Sequence, residues 1–537
     1  MTESMSLLRV ESLRVAIHAQ TGLVEAVADL SFTVEPGETL ALVGETGSGK
    51  SMSMLALTGL IPVGVAATIS GRAMFEGRDL LCMSETQLRA LRGRRIGMVF
   101  QDPAQALNPL MTVGRQIAEA VAAAGGPKGR EIQLLDEVEL GAVPGISRRY
   151  PHQLSGGQQQ RVMIAIALAG DPSLLIADEP TTALDVAVEA RILDLLARLK
   201  ARRSMAMIIV SHDLGVVKRI ADRMIVLRNG RAVELGDTTA VLTTPKTAYT
   251  RALMACRPTL EDSVARLPTL GVPSPPIIEK RAIQSSRVLL GIHDLQVSYP
   301  GVGTLAKPVM AVKGVSFEIR EGEALGILGE SGSGKSSIAR SIVGLVRPSA
   351  GQIRFDGAFL ADTGRLDRSL RRRIQYIFQD PFGALNPRLT VAQLVREPML
   401  IHGVPANETT IIGLLEEVGL NSGHLSRLPR ELSGGQRQRV TIARALALEP
   451  ELLICDEIVS ALDVSVQAQV LNLLKDIQAR RSLTLMFISH DIPVVRHMCD
   501  RIAVMQDGLL IEIGARDCII QQPSTAYTRE MIALLKR

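Results

Sequence analysis

The chain has 537 residues, too many for one hydrophobic core, so its length predicts several domains. Its net charge of +5 is small for this length, and no block of like charges or basic stripe with interleaved aromatic residues occurs. We therefore expect no nucleic-acid partner. The five cysteines are widely separated and form no C-x-x-C pair. We therefore expect neither a disulfide framework nor a zinc site.

The first half begins with two stretches of strand-like alternation, Leu8 to Ile17 and Ala26 to Val34. The apolar run Leu40 to Val43 then leads into a glycine-rich loop, and the segment up to Gly59 reads as a helix. In this context glycines let backbone N–H groups turn toward one point, and the helix N-terminus adds positive potential there. The loop is predicted to hold nucleotide phosphates, and it consists of Gly44, Glu45, Thr46, Gly47, Ser48, Gly49, Lys50 and Ser51.

In the rest of the first half, several polar residues come directly after short apolar runs that are typical of strands. Gln101 follows a short apolar run, and helical spacing extends from Asn108 to Tyr150. The all-apolar stretch from Leu174 ends in Asp178 and Glu179, as expected of a buried parallel strand. A similar strand, Ala206 to Val210, leads to His212.

The second half repeats these segments in the same order. One constant shift separates Gln101 from Gln379, and the same shift separates Glu179 from Glu457 and His212 from His490. The second phosphate loop consists of Gly329, Glu330, Ser331, Gly332, Ser333, Gly334, Lys335 and Ser336. Such a register indicates a fusion of two related domains. We place the domains at residues 1–256 and 287–537, joined by a proline-rich linker at 257–286 that reads as extended.

Hydrolysis of a nucleoside triphosphate requires held phosphates, a metal ion on the β- and γ-phosphate oxygens, and an oriented water. Each half offers hydroxyl, carboxylate and amide oxygens for Mg²⁺, and a glutamate suited to act as general base. The predicted metal ligands are Ser51, Gln101, Asp178, Ser336, Gln379 and Asp456. The predicted catalytic residues are Glu179, Glu457, His212, His490, Gln101 and Gln379. Any one of these residues could have a purely structural role. The same ordered set occurs twice, however, and this favours a catalytic role.

Nearly all of the chain resembles the nucleotide-binding domains of ABC-type ATPases. The resemblance is carried by motifs that occur twice: the GxxxxGKS loop, the LSGGQ segment, the apolar strand ending in Asp-Glu and the later histidine. The resemblance implies an α/β fold with two tandem P-loop NTPase (RecA-like) domains, each with an antiparallel β portion and a helical subdomain. It also implies a head-to-tail sandwich with two ATP molecules, in which each LSGGQ loop covers the γ-phosphate bound by the other domain. The residues of these signature loops are Ser155, Gly156, Gly157, Gln158, Ser433, Gly434, Gly435 and Gln436.

The two halves differ where the family stacks an aromatic ring on adenine. Tyr299 occupies this place in the second half, whereas the first half has Ile17 and His18. We therefore expect a weaker contact with the base in the first half. Neither half lacks a catalytic group, so both sites are expected to be competent.

A narrower resemblance is to the peptide/nickel importer subfamily. It is carried by the segments Leu107 to Val113 and Leu385 to Val391 and by the closing Ala-Tyr-Thr-Arg segments. The subfamily includes fused ATPases of oligopeptide, microcin-like and glutathione importers. This resemblance implies the ATPase of a bacterial importer for peptides or related small solutes, at the cytoplasmic face of the inner membrane. It implies two integral-membrane permease subunits and a periplasmic or extracellular substrate-binding protein as partners.

Two further points limit this interpretation. Some members of the subfamily carry a cysteine-rich extension with an iron–sulfur cluster, but only Cys256 lies near that place, so no cluster is expected. The alternative is a soluble twin-cassette ATPase that acts on ribosomes or nucleic acid. The proline-rich linker and the absence of cysteine pairs argue against it.

Overall fold

The computed structural model describes residues 6–19, 22–182, 184–260, 264–270, 287–300, 308–360, 367–460 and 462–536. The chain divides into two compact units. The first comprises Met1–Leu184 and Val188–Met254, and the second comprises Asp185–Ala187 and Ala255–Arg537. Each unit is an α/β structure, as the sequence predicts.

The first half of the chain contains ten described strands: β1 (Leu8–Ala19), β2 (Gly22–Val34), β3 (Thr39–Gly44), β4 (Ala67–Phe75), β5 (Arg78–Asp79), β6 (Ile96–Val99), β7 (Leu174–Asp178), β8 (Ala206–Ser211), β9 (Arg223–Arg228) and β10 (Arg231–Asp237). Its described α-helices are α1 (Lys50–Thr58), α2 (Glu85–Leu91), α3 (Pro103–Ala106), α4 (Val113–Ala124), α5 (Arg130–Glu137), α6 (Gly156–Ala167), α7 (Val186–Arg203), α8 (Leu214–Ile220), α9 (Thr238–Thr243) and α10 (Ala248–Ala255).

The second half repeats this series among its described residues. Its strands are β11 (Val288–Tyr299), β12 (Val309–Arg320), β13 (Ala324–Gly329), β14 (Ala350–Phe355), β15 (Ala358–Phe359), β16 (Ile374–Ile377), β17 (Leu452–Asp456), β18 (Thr484–Ser489), β19 (Arg501–Gln506) and β20 (Leu509–Ala515). Its α-helices are α11 (Lys335–Ile342), α12 (Arg368–Arg373), α13 (Pro381–Ala384), α14 (Val391–His402), α15 (Glu408–Glu417), α16 (Gly434–Leu446), α17 (Val464–Arg481), α18 (Ile492–Met498), α19 (Arg516–Gln521) and α20 (Ala526–Lys536).

The described strands of the first unit form one sheet in the order β5-β4-β1-β2-β10-β9-β3-β8-β7-β6. Its central strands β3, β7 and β8 pair in parallel, and every residue in them is buried. Continuous apolar sequence is what a parallel strand covered on both faces requires. The carboxyl ends of these strands share one edge of the sheet, which is where ligands bind in open α/β sheets.

The second unit has the same strand order, divided into two sheets. The antiparallel sheet runs β12-β11-β14-β15 and the mainly parallel sheet runs β16-β17-β18-β13-β19-β20. In the first unit the corresponding sheets are joined by a single parallel pairing of Arg231 with Asp29. The mixed sheet and the repeated topology confirm the predicted α/β fold.

The region from Asn108 to Tyr150 is largely helical, as the sequence predicts, and α4 and α5 bury apolar residues. Val113, Ile117 and Val121 of α4 are buried. Strand β4 starts at Ala67 and pairs with β1 along most of its length. Among the described residues, none of the helices has both the length and the apolar character needed to cross a bilayer.

Part of the predicted linker packs against the second unit. Leu267 is 1% exposed and belongs to the apolar core of that unit. Its backbone N–H donates to Oδ1 of Asn472 at 3.0 Å, and Asn472 Nδ2 donates to its carbonyl oxygen at 2.8 Å. Arg266 makes a bidentate ion pair with Asp476 at 2.8 and 2.9 Å. Residues 261–263 and 271–286 of the predicted linker lie outside the described residues.

Candidate active sites

In the first unit, β3 ends at Gly44 and α1 begins at Lys50, so the predicted phosphate loop connects a buried strand to a helix N-terminus. Gly49 caps the helix with φ 98°, and a Cβ there would lie 2.5 Å from the carbonyl oxygen of Ala26. Only glycine fits this backbone without strain. The loop therefore keeps its amides close to the helix N-terminus.

The Lys50 side chain is buried and folded over the loop. Its Nζ donates to the carbonyl oxygens of Gly44 at 2.7 Å and Glu45 at 2.9 Å. The Ser48 hydroxyl oxygen is buried without a hydrogen-bond partner among the described residues. A buried cation, an unsatisfied hydroxyl and a helix N-terminus in one loop fit the phosphates of a nucleotide.

The second unit repeats this geometry. Lys335 is 4% exposed, and its Nζ donates to the carbonyl oxygens of Gly329 and Glu330, both at 2.7 Å. Within the described part of the chain, the buried hydroxyl oxygen of Ser333 is likewise unsatisfied. Burial lowers the pKa of Lys335, although the carboxylates around it act in the opposite direction.

The last serine of each phosphate loop contacts the aspartate that ends β7 or β17, two strands away from the strand that leads into the loop. Ser51 Oγ donates to Oδ1 of Asp178 at 2.9 Å, and Ser336 Oγ donates to Oδ1 of Asp456 at 3.0 Å. Hydroxyl and carboxylate oxygens are ligands that suit Mg²⁺. Burial raises the pKa of Asp178 to about 6 and also raises that of Asp456. A cation would favour the ionised carboxylates, so this donor set fits a bound divalent metal.

The predicted catalytic residues of the first unit meet at Glu179. Gln101 Nε2 donates to its Oε2 at 2.7 Å, Thr182 Oγ1 donates to the same oxygen at 2.9 Å, and His212 Nδ1 lies 3.1 Å from its Oε1. Burial opposes ionisation of Glu179, but the hydrogen bond and charge of His212, with help from Thr182 and Lys50, outweigh it and lower its pKa. The carboxylate is therefore ionised and oriented.

The direction of the Glu179 side chain is not set by alternation along β7. Strand β7 ends at Asp178, and Glu179 has φ 47°, in the left-handed region. Glu457 repeats this conformation with φ 49°. Such a backbone is costly for a residue with a side chain and is concentrated at functional sites.

Glu457 has similar partners, with one difference. Gln379 Nε2 donates to its Oε2 at 2.7 Å, and His490 Nδ1 lies 3.4 Å from its Oε1. Burial lowers the pKa of His490, but the hydrogen bond and charge of Glu457 outweigh it and raise the pKa overall. The Ser460 hydroxyl donates to the backbone carbonyl of Glu457 at 2.9 Å, whereas Thr182 donates to the carboxylate of Glu179.

The signature loops lie at the N-termini of α6 and α16. The Ser155 hydroxyl caps α6 by accepting a hydrogen bond from the backbone N–H of Gln158 at 3.4 Å. The Ser433 hydroxyl caps α16 in the same way, accepting from the backbone N–H of Gln436 at 3.2 Å. A Cβ on Gly157 would lie 2.5 Å from Val188 Cγ1, so that position requires glycine or a shift of the valine. The contact of the two signature loops with nucleotide stays a prediction.

The residues predicted to contact adenine have different partners in the two units. Tyr299 donates from its hydroxyl to Ser337 Oγ at 3.2 Å, which ties the ring to α11. His18 Nε2 lies 2.9 Å from Thr68 Oγ1 on β4, so its ring is engaged within the sheet.

The sequence reasoning did not identify Tyr376 as a site residue. Its hydroxyl donates to Oδ2 of Asp456. An alignment of the two halves provides the signal, because the tyrosine hydroxyl of β16 stands at the position where β6 has Met98. The Thr182 hydroxyl is the second group whose contact with the site emerges only from the structure.

Comparison with known proteins agrees with this geometry. The family described as "ABC transporter" matches residues 27–182 and 312–460, and the one described as "Oligopeptide/dipeptide transporter, C-terminal region" matches residues 233–281. The glutathione import ATP-binding protein GsiA of Escherichia coli O157:H7 is 42% identical over 98% of this chain and 89% of its own length. The protein of the same name from Salmonella typhimurium is 42% identical over 99% of this chain and 90% of its own length.

The comparisons give no support to the alternative of a ribosome- or nucleic-acid-directed ATPase. The two matched ranges each contain one glycine-rich loop and one Asp-Glu pair. The chain belongs to the ABC transporter family and is an ATP-binding, ATP-hydrolysing protein with two fused ATPase domains.

Proposed function

We propose that this chain hydrolyses ATP to drive bacterial import of peptides or related small solutes, a class that includes glutathione. The observation that carries the proposal is the duplicated cluster in which a glutamine and a histidine converge on Glu179 and Glu457. The match of residues 233–281 to an oligopeptide/dipeptide transporter region, and relatives named for glutathione import, support the substrate class.

The geometry of the site residues supports a role for each of them in this proposal. Lys50 and Lys335 would leave the loop carbonyls to contact the β- and γ-phosphates. Ser51, Asp178 and Gln101 would hold Mg²⁺ in the first unit. The corresponding ligands in the second unit are Ser336, Asp456 and Gln379. When bound, Mg²⁺ would neutralise charge on the phosphate oxygens.

Glu179 and Glu457 would accept a proton from the attacking water. The water oxygen bonds to the γ-phosphorus, the bond to the bridging oxygen of ADP breaks, and ADP leaves with that electron pair. His212 and His490 would hold the glutamate on one side and donate to the γ-phosphate on the other. Gln101 and Gln379 would orient the same water.

A groove in the second unit offers a place for a permease to dock. It has a volume of about 350 Å³ and lies between the end of β16 and helices α14 and α16. Phe378 is 44% and Ile401 57% exposed along it, and Arg444 lines it too. A short helix with an apolar face would fit such a surface.

The corresponding positions in the first unit carry Phe100 and Ala123. An alanine in place of Ile401 makes that surface smaller, so the two units present different docking surfaces. This difference favours two distinct permease subunits over two copies of one. We place the chain on the cytoplasmic side of the inner membrane beside them, with a substrate-binding protein delivering the solute on the opposite side.

The proposal is tested by purifying the tagged chain from membranes of its own bacterium and identifying its partners by mass spectrometry. We expect two different multi-spanning proteins. Ile401→Asp should release one of them, whereas Ile132→Asp, at an exposed position on α5, should release neither. Recovery of ribosomes or DNA instead of membrane proteins would overturn the proposal.

The substrate class is tested by uptake in a strain that lacks this chain. Wild type should restore accumulation of labelled glutathione or of labelled short peptides, and Lys50→Ala combined with Lys335→Ala should not. Equal uptake with and without the chain, for both kinds of solute, would refute the substrate assignment.

A further inference from the structure

The aspartate beside the second phosphate loop has both carboxylate oxygens engaged. Asp456 accepts from Ser336 Oγ at Oδ1 across 3.0 Å and from the Tyr376 hydroxyl at Oδ2. The residue is 2% exposed, so water competes little for either oxygen. The plane of this carboxylate is therefore held from two directions.

Strand pairing explains why Tyr376 reaches Asp456. Residue 376 of β16 lies opposite Ile454 of the parallel strand β17, and Asp456 is two residues farther along the same face. An aromatic side chain that leans along the strand spans this diagonal distance. Arg340, on α11, lies near both groups, and its positive charge partly offsets the rise in pKa that burial causes for the Tyr376 hydroxyl and the Asp456 carboxyl.

The first unit has the same backbone and different side chains. Met98 lies opposite Ile176 in the matching register, and a thioether has no hydroxyl to donate to Asp178. Leu55 occupies the place on α1 that Arg340 occupies on α11. Asp178 retains the bond from Ser51 at 2.9 Å, so the two aspartates differ by the tyrosine hydrogen bond that Asp456 accepts.

We propose that Tyr376 is a positioning residue that prepares Asp456 for the divalent metal, so that the second unit binds metal–ATP more tightly than the first. The inference rests on the proposed metal role of Asp178 and Asp456. Partners that orient a metal-binding carboxylate typically change metal affinity about 10- to 100-fold. The chain thus carries two ATP sites of unequal metal affinity, distinguished by a residue outside the known motifs.

Packing alone is a competing explanation for Tyr376, because its ring contacts that of Phe378 edge to face at 4.6 Å between centroids. Tyr376→Phe separates the two roles, since it keeps the ring and removes the hydroxyl. Tyr376→Met provides a second variant, because it gives the second unit the residue of the first. Met98→Phe is the matched control.

The test is a titration of the full-length chain with Mn²⁺ in the presence of ATP, following free Mn²⁺ by electron paramagnetic resonance. The chain carries Glu179→Gln and Glu457→Gln so that ATP persists. We expect two classes of site about 10-fold apart. Asp456→Ala should abolish the tighter class and Asp178→Ala the weaker one.

In Tyr376→Phe and Tyr376→Met, the tighter class should weaken about 10-fold and approach the weaker class, with an unchanged melting temperature for Tyr376→Phe. Met98→Phe should leave both classes unchanged. Unchanged affinities in both Tyr376 variants, or assignment of the tighter class to Asp178, would overturn the inference while leaving the proposed function intact. Classes that survive both aspartate substitutions would instead refute the metal roles in the proposed function.

Discussion

Gln101 donates a hydrogen bond from its side-chain amide to Oε2 of Glu179 across 2.7 Å, and Gln379 makes the same bond to Glu457 at the same distance. Each glutamine follows one strand and each glutamate follows the next strand of the sheet. The bond thus joins two segments that are far apart in sequence at the edge where a nucleotide would lie. It also keeps the carboxylate from turning away from that edge.

Replacement of both glutamates tests their role as bases. We expect Glu179→Gln with Glu457→Gln to reduce phosphate release about 10²- to 10⁴-fold, since the water loses its proton acceptor. ATP binding, measured with a fluorescent analogue, should stay at the wild-type level because the phosphate loops are unchanged. Each single variant should retain the turnover of the other site.

Glu119→Gln provides the control for that experiment, since this glutamate lies on the surface of α4 with 58% of its side chain exposed. It should hydrolyse ATP at the wild-type rate. Turnover near the wild-type rate in the double glutamate variant would show that another group accepts the proton.

Metal removal should stop hydrolysis at both sites. Chelation with EDTA is expected to abolish phosphate release, and added Mg²⁺ should restore it. In Ser51→Ala with Ser336→Ala, the Mg²⁺ concentration for half-maximal rate should rise about 10-fold, because each site loses an oxygen donor. The measurement is the rate against free Mg²⁺ at saturating ATP. An unchanged Mg²⁺ requirement would contradict the assignment of these hydroxyls.

Glu234 stabilises the closing segment of the first unit through its carboxylate. It accepts from the backbone N–H groups of Lys246 at 2.8 Å and Thr247 at 3.1 Å. Burial disfavours its charge, but the hydrogen bonds from Thr250, Lys246 and Thr247 outweigh burial and lower the pKa from 4.5 to about 2. The stabilisation is therefore complete above pH about 4.5 and is lost as the pH falls toward about 2.

Glu234→Gln should accordingly lower the free energy of unfolding of the first unit by about 2 kcal/mol at pH 7. The difference from wild type should shrink at pH 3, where the wild-type contribution is itself partly lost. Thermal melts at both pH values measure this, with the exposed Glu25→Gln as control. A difference that grows on acidification would contradict the argument.

The ion pair between Arg266 and Asp476 should stabilise the second unit. Each side chain is 13% exposed, so removing one partner leaves a poorly solvated charge. Arg266→Ala should cost about 2 kcal/mol in chemical unfolding of that unit, and a double-mutant cycle with Asp476→Ala should reveal coupling. The exposed pair of Arg115 and Glu119 is the control, and its coupling should stay below about 0.5 kcal/mol. Additive effects at Arg266 and Asp476 would rule out the interaction.

That most of the side chains around Glu179 lie close together was predictable, because each of them is marked locally in the chain. Asp178 and Glu179 directly follow an apolar strand, and His212 comes at the end of the next one. Since parallel strands end at one edge of the sheet, the residues that follow them are expected at that edge once the strands are recognised. The direction of Glu179 was not predictable, because its left-handed backbone depends on the turn after β7.

The sequence by itself determined the duplication, the α/β fold and the residues of two glycine-rich loops and two clusters around an Asp-Glu pair, because these features are encoded in contiguous segments. Only the tertiary structure decided which hydroxyls reach those clusters: Thr182 donates to one glutamate, and Tyr376 donates to one aspartate. It also decided that Leu267 of the predicted linker is buried in the second unit. These contacts depend on side-chain direction and on residues brought together across the fold, and no local pattern in the chain specifies either.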